Sequence, residues 1–367
     1  MTSEKELGVV LVVGGCGYLG SNVVQLLSSE PSCSSVHVLS RNPTLNLHPN
    51  VNYHAGDIAN QQEVKALLDE IKPRVIIHTA TPPYTLPEKV MRHTNVMGTR
   101  VLLQCAAADS SVRAFVYTST DSAVIPQYGV RIDEEAAMLY TETSQCNPYE
   151  RTKAMADAEV LAANAPALTT AVLRVPAMYG EKDDKTMTAL LGMVKKGQHK
   201  TQIGNNKNKF EFLFVESAAT AHILAAKALL RSKDKESSSN GRVDGEAFFI
   251  SDGVSVPYFD FARKVFAMAG YPVEQKEVQV IPYGVVLAFA ILGEWMYWIF
   301  TLGTKQPDIP VLGIKYLGQG CCDWNIEKAK TRLGFEPVPD QDVVLKKVVE
   351  SEMKRLGVKP GPQFSST

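Results

Sequence analysis

Two residues near the middle of the chain, Tyr149 and Lys153, are of types that together can move a proton. They stand four apart in Asn147-Pro148-Tyr149-Glu150-Arg151-Thr152-Lys153, which puts both side chains on one face of a helix. A free phenol ionises only near pH ~10 and is a poor base at neutrality. A cation on the same face favours the phenolate and lowers that value. A phenolate poised nearer neutrality takes a proton from an alcohol, or returns one to a carbonyl oxygen. The pair alone also fits a plain helix with a packed tyrosine and a solvated lysine, so its weight rests on what surrounds it.

The chain has 367 residues, 45% hydrophobic and 21% charged, with a formal net charge of −1. That suits one large α/β domain and a smaller lobe, and it carries no basic footprint for nucleic acid. Cys16, Cys33, Cys105, Cys146, Cys321 and Cys322 form no C-x-x-C pair, and the seven histidines include no His-x-x-x-His. We expect a reducing compartment and no metal. Met1 to Gly8 is polar and charged, unlike a secretory signal.

The elements that must position the pair follow in order. Val9 to Val13 is a continuous β-branched run, the pattern of a central parallel strand buried on both faces. It enters Gly14-Gly15-Cys16-Gly17-Tyr18-Leu19-Gly20, a turn whose glycines let backbone approach a diphosphate, and a helix is expected from Ser21 to Ser28 with its N-terminal N–H groups facing that anion. Val36 to Leu39 is the second strand. Where an acidic residue would bind a ribose 2′-hydroxyl stand Ser40 and Arg41, which suit a 2′-phosphate, so NADP is favoured over NAD. A third strand ends in Gly56-Asp57-Ile58, placed beside the adenine. Glu63 to Lys72 reads as a helix. A fourth strand, Val75 to Ala80, brings Thr79, Ala80 and Thr81 toward the cofactor. His78 reads as a packed strand residue. Asn95 to Thr99 opens a further helix and places Asn95 among the cofactor residues. Ala114 to Thr120 is a strand ending in three hydroxyls, Thr118, Ser119 and Thr120, any of which can hold a substrate oxygen while Tyr149 moves its proton.

These residues resemble the extended short-chain dehydrogenase/reductases, and within them the 3β-hydroxysteroid dehydrogenase group, including the sterol 4-carboxylate 3-dehydrogenases. The glycine turn, Val116 to Thr120, Tyr149 to Lys153, Val160 to Asn164, Leu173 to Gly180, Val215 to Leu230, Gly245 to Gly253 and Asp323 to Phe335 carry the likeness. The resemblance implies a doubly wound parallel sheet, the Rossmann fold, over residues 1–180. A smaller substrate lobe is implied over 181–367, with segments 211–230, 245–253 and 323–335 returning to the large domain. It implies Tyr149 as base, Lys153 on the cofactor ribose, Thr120 or, second, Ser119 on the substrate oxygen, and Pro176 and Met178 beside the nicotinamide. Four positions depart from the family pattern: Thr118-Ser119-Thr120 for Thr-Ser-Ser, Arg174-Val175-Pro176 for Arg-Pro, Glu216-Ser217 for Asp-Asn, and the missing Asp after the second strand.

The resemblance points to reversible hydride transfer at a secondary 3-hydroxyl of a sterol, triterpenoid or related terpenoid, with loss of a neighbouring carboxylate where one is present. A carbonyl reductase of smaller ketones and a non-catalytic NADP-sensing regulator stay open as alternatives. Val285 to Gly303 is almost wholly apolar and long enough to span a bilayer. Glu294 within it opposes spanning. The readings are a buried helix, a membrane span, and a lid over a lipid-like substrate that touches a membrane face. We expect a cytoplasmic protein associated with the endoplasmic reticulum membrane, and a homodimer is allowed for. Lys233 to Asn240 reads as a surface loop, and Lys359 to Thr367 as a mobile tail.

Overall fold

The computed structural model describes residues 6–127, 129–232, 241–301, 311–319 and 323–364. The loop expected at 233–240, the Cys321-Cys322 pair, the end of the apolar stretch at 302–303 and the last residues of the tail, 365–367, lie outside the described residues.

Seven parallel strands form the large sheet: β1 (Gly8–Val13), β2 (Cys33–Ser40), β3 (Asn52–Ala55), β4 (Val75–His78), β5 (Ala114–Thr120), β6 (Thr169–Val175) and β7 (Glu246–Phe249). Their spatial order is β7-β6-β5-β4-β1-β2-β3. The winding therefore reverses between β1 and β4, and a crevice opens there at the carboxyl ends of the strands.

Strand side chains alternate between two apolar layers, which is why the strands are apolar on both faces. Val10 and Val12 pack with α1 (Tyr18–Ser29), through Leu19, Val23, Val24 and Leu27. Leu11 and Val13 pack on the other face with α2 (Gln61–Ile71), α3 (Thr99–Ala108) and α4 (Pro148–Ala162), through Val64, Leu68, Leu102, Ala156 and Val160. The helix expected to open at Asn95 starts earlier. Glu88–Met91 runs through a π-helical stretch, Arg92–Gly98, straight into α3, so Asn95 lies inside a continuous helical path.

The smaller lobe has its own core. It joins α5 (Thr186–Lys195), the strand Lys209–Phe214, α7 (Tyr258–Met268) and α10 (Gln341–Leu356), by way of Met187, Leu190, Phe210, Phe212, Phe261 and Val349. Between them in sequence, α6 (Val215–Ser232) returns to the large sheet, where Ala218, Ala221, Ala225 and Leu229 join the α1 layer. The apolar stretch forms α8 (Tyr283–Thr301), followed by α9 (Val311–Gln319).

The structure rules out the buried-helix reading of α8. Phe289 is 70% exposed and Phe300 is 79% exposed. Glu294, the charge that opposed spanning, accepts from the Val311 N–H at 2.7 Å, at the start of α9.

Candidate active site

Local sequence fixes where Tyr149 stands. Asn147 caps α4: its side chain accepts from the Tyr149 N–H at 2.8 Å, and the Glu150 carboxylate accepts from the Asn147 N–H at 3.1 Å. Pro148 occupies the first helical position, where no backbone donor is needed. Tyr149 is thereby held in the first turn, facing the end of β5. There Thr120 lies near its phenol. Burial, helped by the neighbouring Asp121 and Glu150 charges, pushes the phenol up to about 12.

Lys153 departs from expectation. It is buried, and its Nζ donates to the Tyr117 hydroxyl at 2.8 Å and to the Thr118 carbonyl oxygen, with the Tyr117 ring centroid 4.2 Å away. Burial pulls its pKa down to about 7, opposed by the Asp157 charge. In the protein alone the cation is thus held by β5 and does not lower the phenol. The reason is geometric: helix spacing puts Lys153 beside Tyr149, but strand β5 offers it nearer acceptors.

Buried polar groups fix this face of the sheet. Arg174 on β6 makes a two-point ion pair with Asp157 on α4, at 2.9 and 3.0 Å. Thr118 donates to His222 Nε2 at 2.7 Å, because His222 Nδ1 gives its hydrogen to the Ala218 carbonyl. Burial pushes His222 down to about 4, so it is neutral. Ser119 is buried, and its hydroxyl has no hydrogen-bond partner among the described residues. Of the two candidate hydroxyls, Thr120 is the one whose influence reaches the Tyr149 phenol. His78 is packed in the sheet, bonded to Thr99 at 3.0 Å and pushed down to about 3 by burial.

The glycine turn fits a diphosphate. Gly14 has φ +84°, and a Cβ there would lie 2.7 Å from the Ala80 backbone. A Cβ at Gly15 would meet Val38, and one at Gly20 would overlap the Gly14 carbonyl oxygen. Gly17 caps α1 with no side-chain hydrogen bond to the first turn. The first N–H groups of a helix have no partner within it. Tyr18, Leu19 and Gly20 therefore offer donors and the positive end of the helix to an anion, while the Gly17 N–H closes the turn onto the Gly14 carbonyl at 2.9 Å. Asn46 holds the Cys16 carbonyl at 3.0 Å, and Thr79 donates to the Val13 carbonyl at 3.0 Å.

At the far end, Arg41 is exposed and Ser40 half-buried. Asp57 accepts from the Ala59 N–H at 3.0 Å and pairs with His93 at 2.8 Å. Burial alone would raise the Asp57 carboxyl, but His93, Ala59 and the Arg41 charge bring it below its ordinary value. Ile58 and Pro176 are buried and Met178 half-buried. The Asn95 amide accepts from Thr81 at 3.0 Å and donates to Thr152 at 3.1 Å. It ties the β4 loop to α4.

Beyond Tyr149 the surroundings turn aromatic. Tyr84 meets the Tyr149 ring edge-on, with centroids 6.5 Å apart. Tyr258 lies near enough to Tyr84 to feel its charge. It also lines a cavity of about 240 Å³ in the small lobe, with Ile203, Asn206, Phe210, Tyr283 and Leu317. Tyr149 does not line that cavity.

The family model described as "3-beta hydroxysteroid dehydrogenase/isomerase family" matches residues 11–281, well over half of the chain. The chain belongs to that family. Among curated relatives, a sterol-4-alpha-carboxylate 3-dehydrogenase, decarboxylating, of Gibberella zeae is 42% identical over 300 residues, covering 81% of this chain and 97% of that one. The Schizosaccharomyces pombe protein of that name is 32% identical over 90% of this chain and 93% of its own. The mouse protein is 27% identical over 93% and 90%. Solved structures share the fold: a Thermotoga maritima UDP-glucose 4-epimerase has a TM-score of 0.71 at 20% identity, covering 95% of this chain and 99% of its own. A Bacillus anthracis dTDP-glucose 4,6-dehydratase, solved in complex with NAD, has 0.70 at 20% identity, covering 96% and 98%.

Sequence reasoning missed several residues that the structure places around the candidate site. Tyr117 is the phenol that holds Lys153, and its place on β5 two residues before Ser119 was visible. Asp121 directly follows Thr120, and no motif marks it. Tyr84 and Tyr258 had no pattern to mark them.

Proposed function

We propose that this protein oxidises the 3-hydroxyl of a sterol bearing a 4α-carboxylate, with a nicotinamide dinucleotide as acceptor, and that the carboxylate then leaves as CO2. The observation that carries this reading is Tyr149, held in the capped first turn of α4, near Thr120 at the carboxyl end of β5. That arrangement sits in a chain 42% identical to a relative named for the same reaction.

The glycine turn and the start of α1 are assigned to the cofactor diphosphate, and Ser40, Arg41 and Asp57 to its adenosine end. Thr79, Ala80, Thr118, Pro176 and Met178 flank the rest of the crevice. The bound cofactor supplies an acceptor for the hydride on the carbinol carbon. Tyr149 removes the hydroxyl proton, Thr120 orients the oxygen, and Lys153 supplies the cation at the β5 edge. Once the carbinol carbon is a ketone, the carboxylate is β to a carbonyl. Breaking its carbon–carbon bond then leaves the electron pair in an enolate, so decarboxylation asks little more of the protein.

Arg41, with no carboxylate in the second-strand position, supports NADP over NAD. The exposed aromatic and aliphatic residues of α8, next to the cavity residue Tyr283, support contact with a membrane face, in keeping with a water-insoluble substrate and a place on the endoplasmic reticulum. Purified protein mixed with a 4α-carboxysterol and each dinucleotide tests the reading. Reduced dinucleotide, CO2 and the decarboxylated ketone are expected in equal amounts. No reduction with any 3-hydroxysterol would refute it.

A further inference from the structure

A carboxyl group is buried directly behind the reacting hydroxyls. Asp121 follows Thr120 and is 3% exposed. Thr120 and Ser122 both donate to Asp121 Oδ1, each at 3.2 Å. The other oxygen accepts from Trp324 Nε1 at 3.3 Å. The indole cannot swing away, because it stacks on Phe249 with centroids 4.3 Å apart, and the strand Asp323–Trp324 pairs with Arg131–Ile132. The Trp324 N–H in turn donates to Glu211 Oε1 at 2.9 Å. No cation forms an ion pair with Asp121 among the described residues. The ionisable groups around it are Tyr149 and Glu150 on α4 and Glu211 on Lys209–Phe214, with Lys315 on α9 acting on Glu150.

Two consequences follow from this geometry. A hydroxyl has one hydrogen. Thr120 gives its own to Asp121 and accepts from the Ser122 N–H at 3.3 Å, so one lone pair is left to accept from Tyr149 or the substrate. An unpaired negative charge behind it also works against the phenolate in a medium where charge is poorly screened. We propose that Asp121 is a positioning residue for the reaction: it fixes the direction of the Thr120 hydroxyl and, through its charge, holds the proton on Tyr149. This deepens the reading of Tyr149 as the proton-transferring group and rests on it. Burial pushes the Asp121 carboxyl only to about 6, so it carries its charge at neutral pH.

The test is an ultraviolet titration of phenolate in the cofactor-free protein, with the Tyr149→Phe variant subtracted to isolate Tyr149. Asp121→Asn removes the charge and keeps the size. Its Tyr149 midpoint is expected about 1 pH unit lower than wild type, the scale of a neighbouring charge. The rising limb of kcat/KM for sterol oxidation moves the same way. Trp324→Phe loosens the same contact but leaves the charge, and its midpoint stays at the wild-type value. Should the asparagine variant not fold, Asp121→Ser repeats the measurement. An unchanged midpoint in the charge-free variants, or an equal fall in Trp324→Phe, overturns the proposal. Because the titration needs no substrate, it stands apart from the identity of the sterol. A wild type that titrates as expected yet oxidises no sterol would refute the substrate reading alone.

Discussion

Lys153 lies one helical turn from Tyr149, yet its ammonium is bonded to the Tyr117 hydroxyl at 2.8 Å. The cation is therefore a buried charge held by strand β5, and its cost to the fold can be read separately from its part in catalysis. Lys153→Met removes a cation whose pKa burial has pulled from 10.5 to about 7. Replacing a buried charge with an apolar side chain of similar size gains on the order of 2 kcal/mol. The sign follows from the depressed value: wild type regains stability as pH rises from about 7 toward 10.5, so the variant's advantage is largest below pH 7 and fades above it. Denaturant unfolding at several pH values checks this, and turnover of the variant should fall at least about a hundredfold.

Glu211 gives the opposite slope. Burial raises its carboxyl from 4.5 to about 7, against the hydrogen bonds of Ser251 and Trp324. A raised carboxyl contributes stability that is present below its unfolded pKa and lost as pH rises through the folded one. Wild type should therefore lose stability between pH 4.5 and 7, on the order of 3 kcal/mol from this group. Glu211→Gln should flatten that stretch of the profile. Urea unfolding at both ends of the range measures it.

Arg41 is exposed and its charge reaches Asp57. A guanidinium there suits a phosphate better than a hydroxyl. Arg41→Ala should weaken NADP about tenfold and leave NAD within about twofold, the loss of roughly one charge-assisted contact. Dissociation constants for both dinucleotides decide it. Equal losses would assign Arg41 no part in the choice.

On α8, Phe289 and Phe300 are 70% and 79% exposed. Replacing both with glutamate should reduce sedimentation with phospholipid vesicles severalfold, since the apolar face is what such a surface takes up. Stability should stay within about 0.5 kcal/mol, because neither side chain packs in a core. Unchanged vesicle binding would assign the helix elsewhere.

Much of the frame was legible because local chemistry dictates it. Strand β5 runs from Ala114 to Thr120 as its apolar run and terminal hydroxyls imply. Asn147-Pro148 starts α4, as a cap followed by proline should. The turn at Gly14 needs a positive φ that glycine supplies without strain. What was not legible depends on contacts between distant segments. Asp121 meets Trp324 from 203 residues away, and nothing near it announces burial. Helix periodicity put Lys153 beside Tyr149 but could not weigh Tyr117 on a neighbouring strand against it. The hydropathy of α8 was visible, but composition is the same for a core helix and an exposed one. Asn95 was read as a helix start because the π-helical path from Arg92 has no cap to mark it.

The central claim is that Tyr149 carries the proton, and Tyr149→Phe tests it most directly. The phenylalanine ring keeps the edge-on contact with Tyr84, so folding and dinucleotide binding should match wild type. Turnover of a 4α-carboxysterol, followed as dinucleotide reduction, should fall by at least about a hundredfold, the contribution of a positioned proton-transfer group. A variant that folds, binds the dinucleotide and turns over at the wild-type rate would contradict the account.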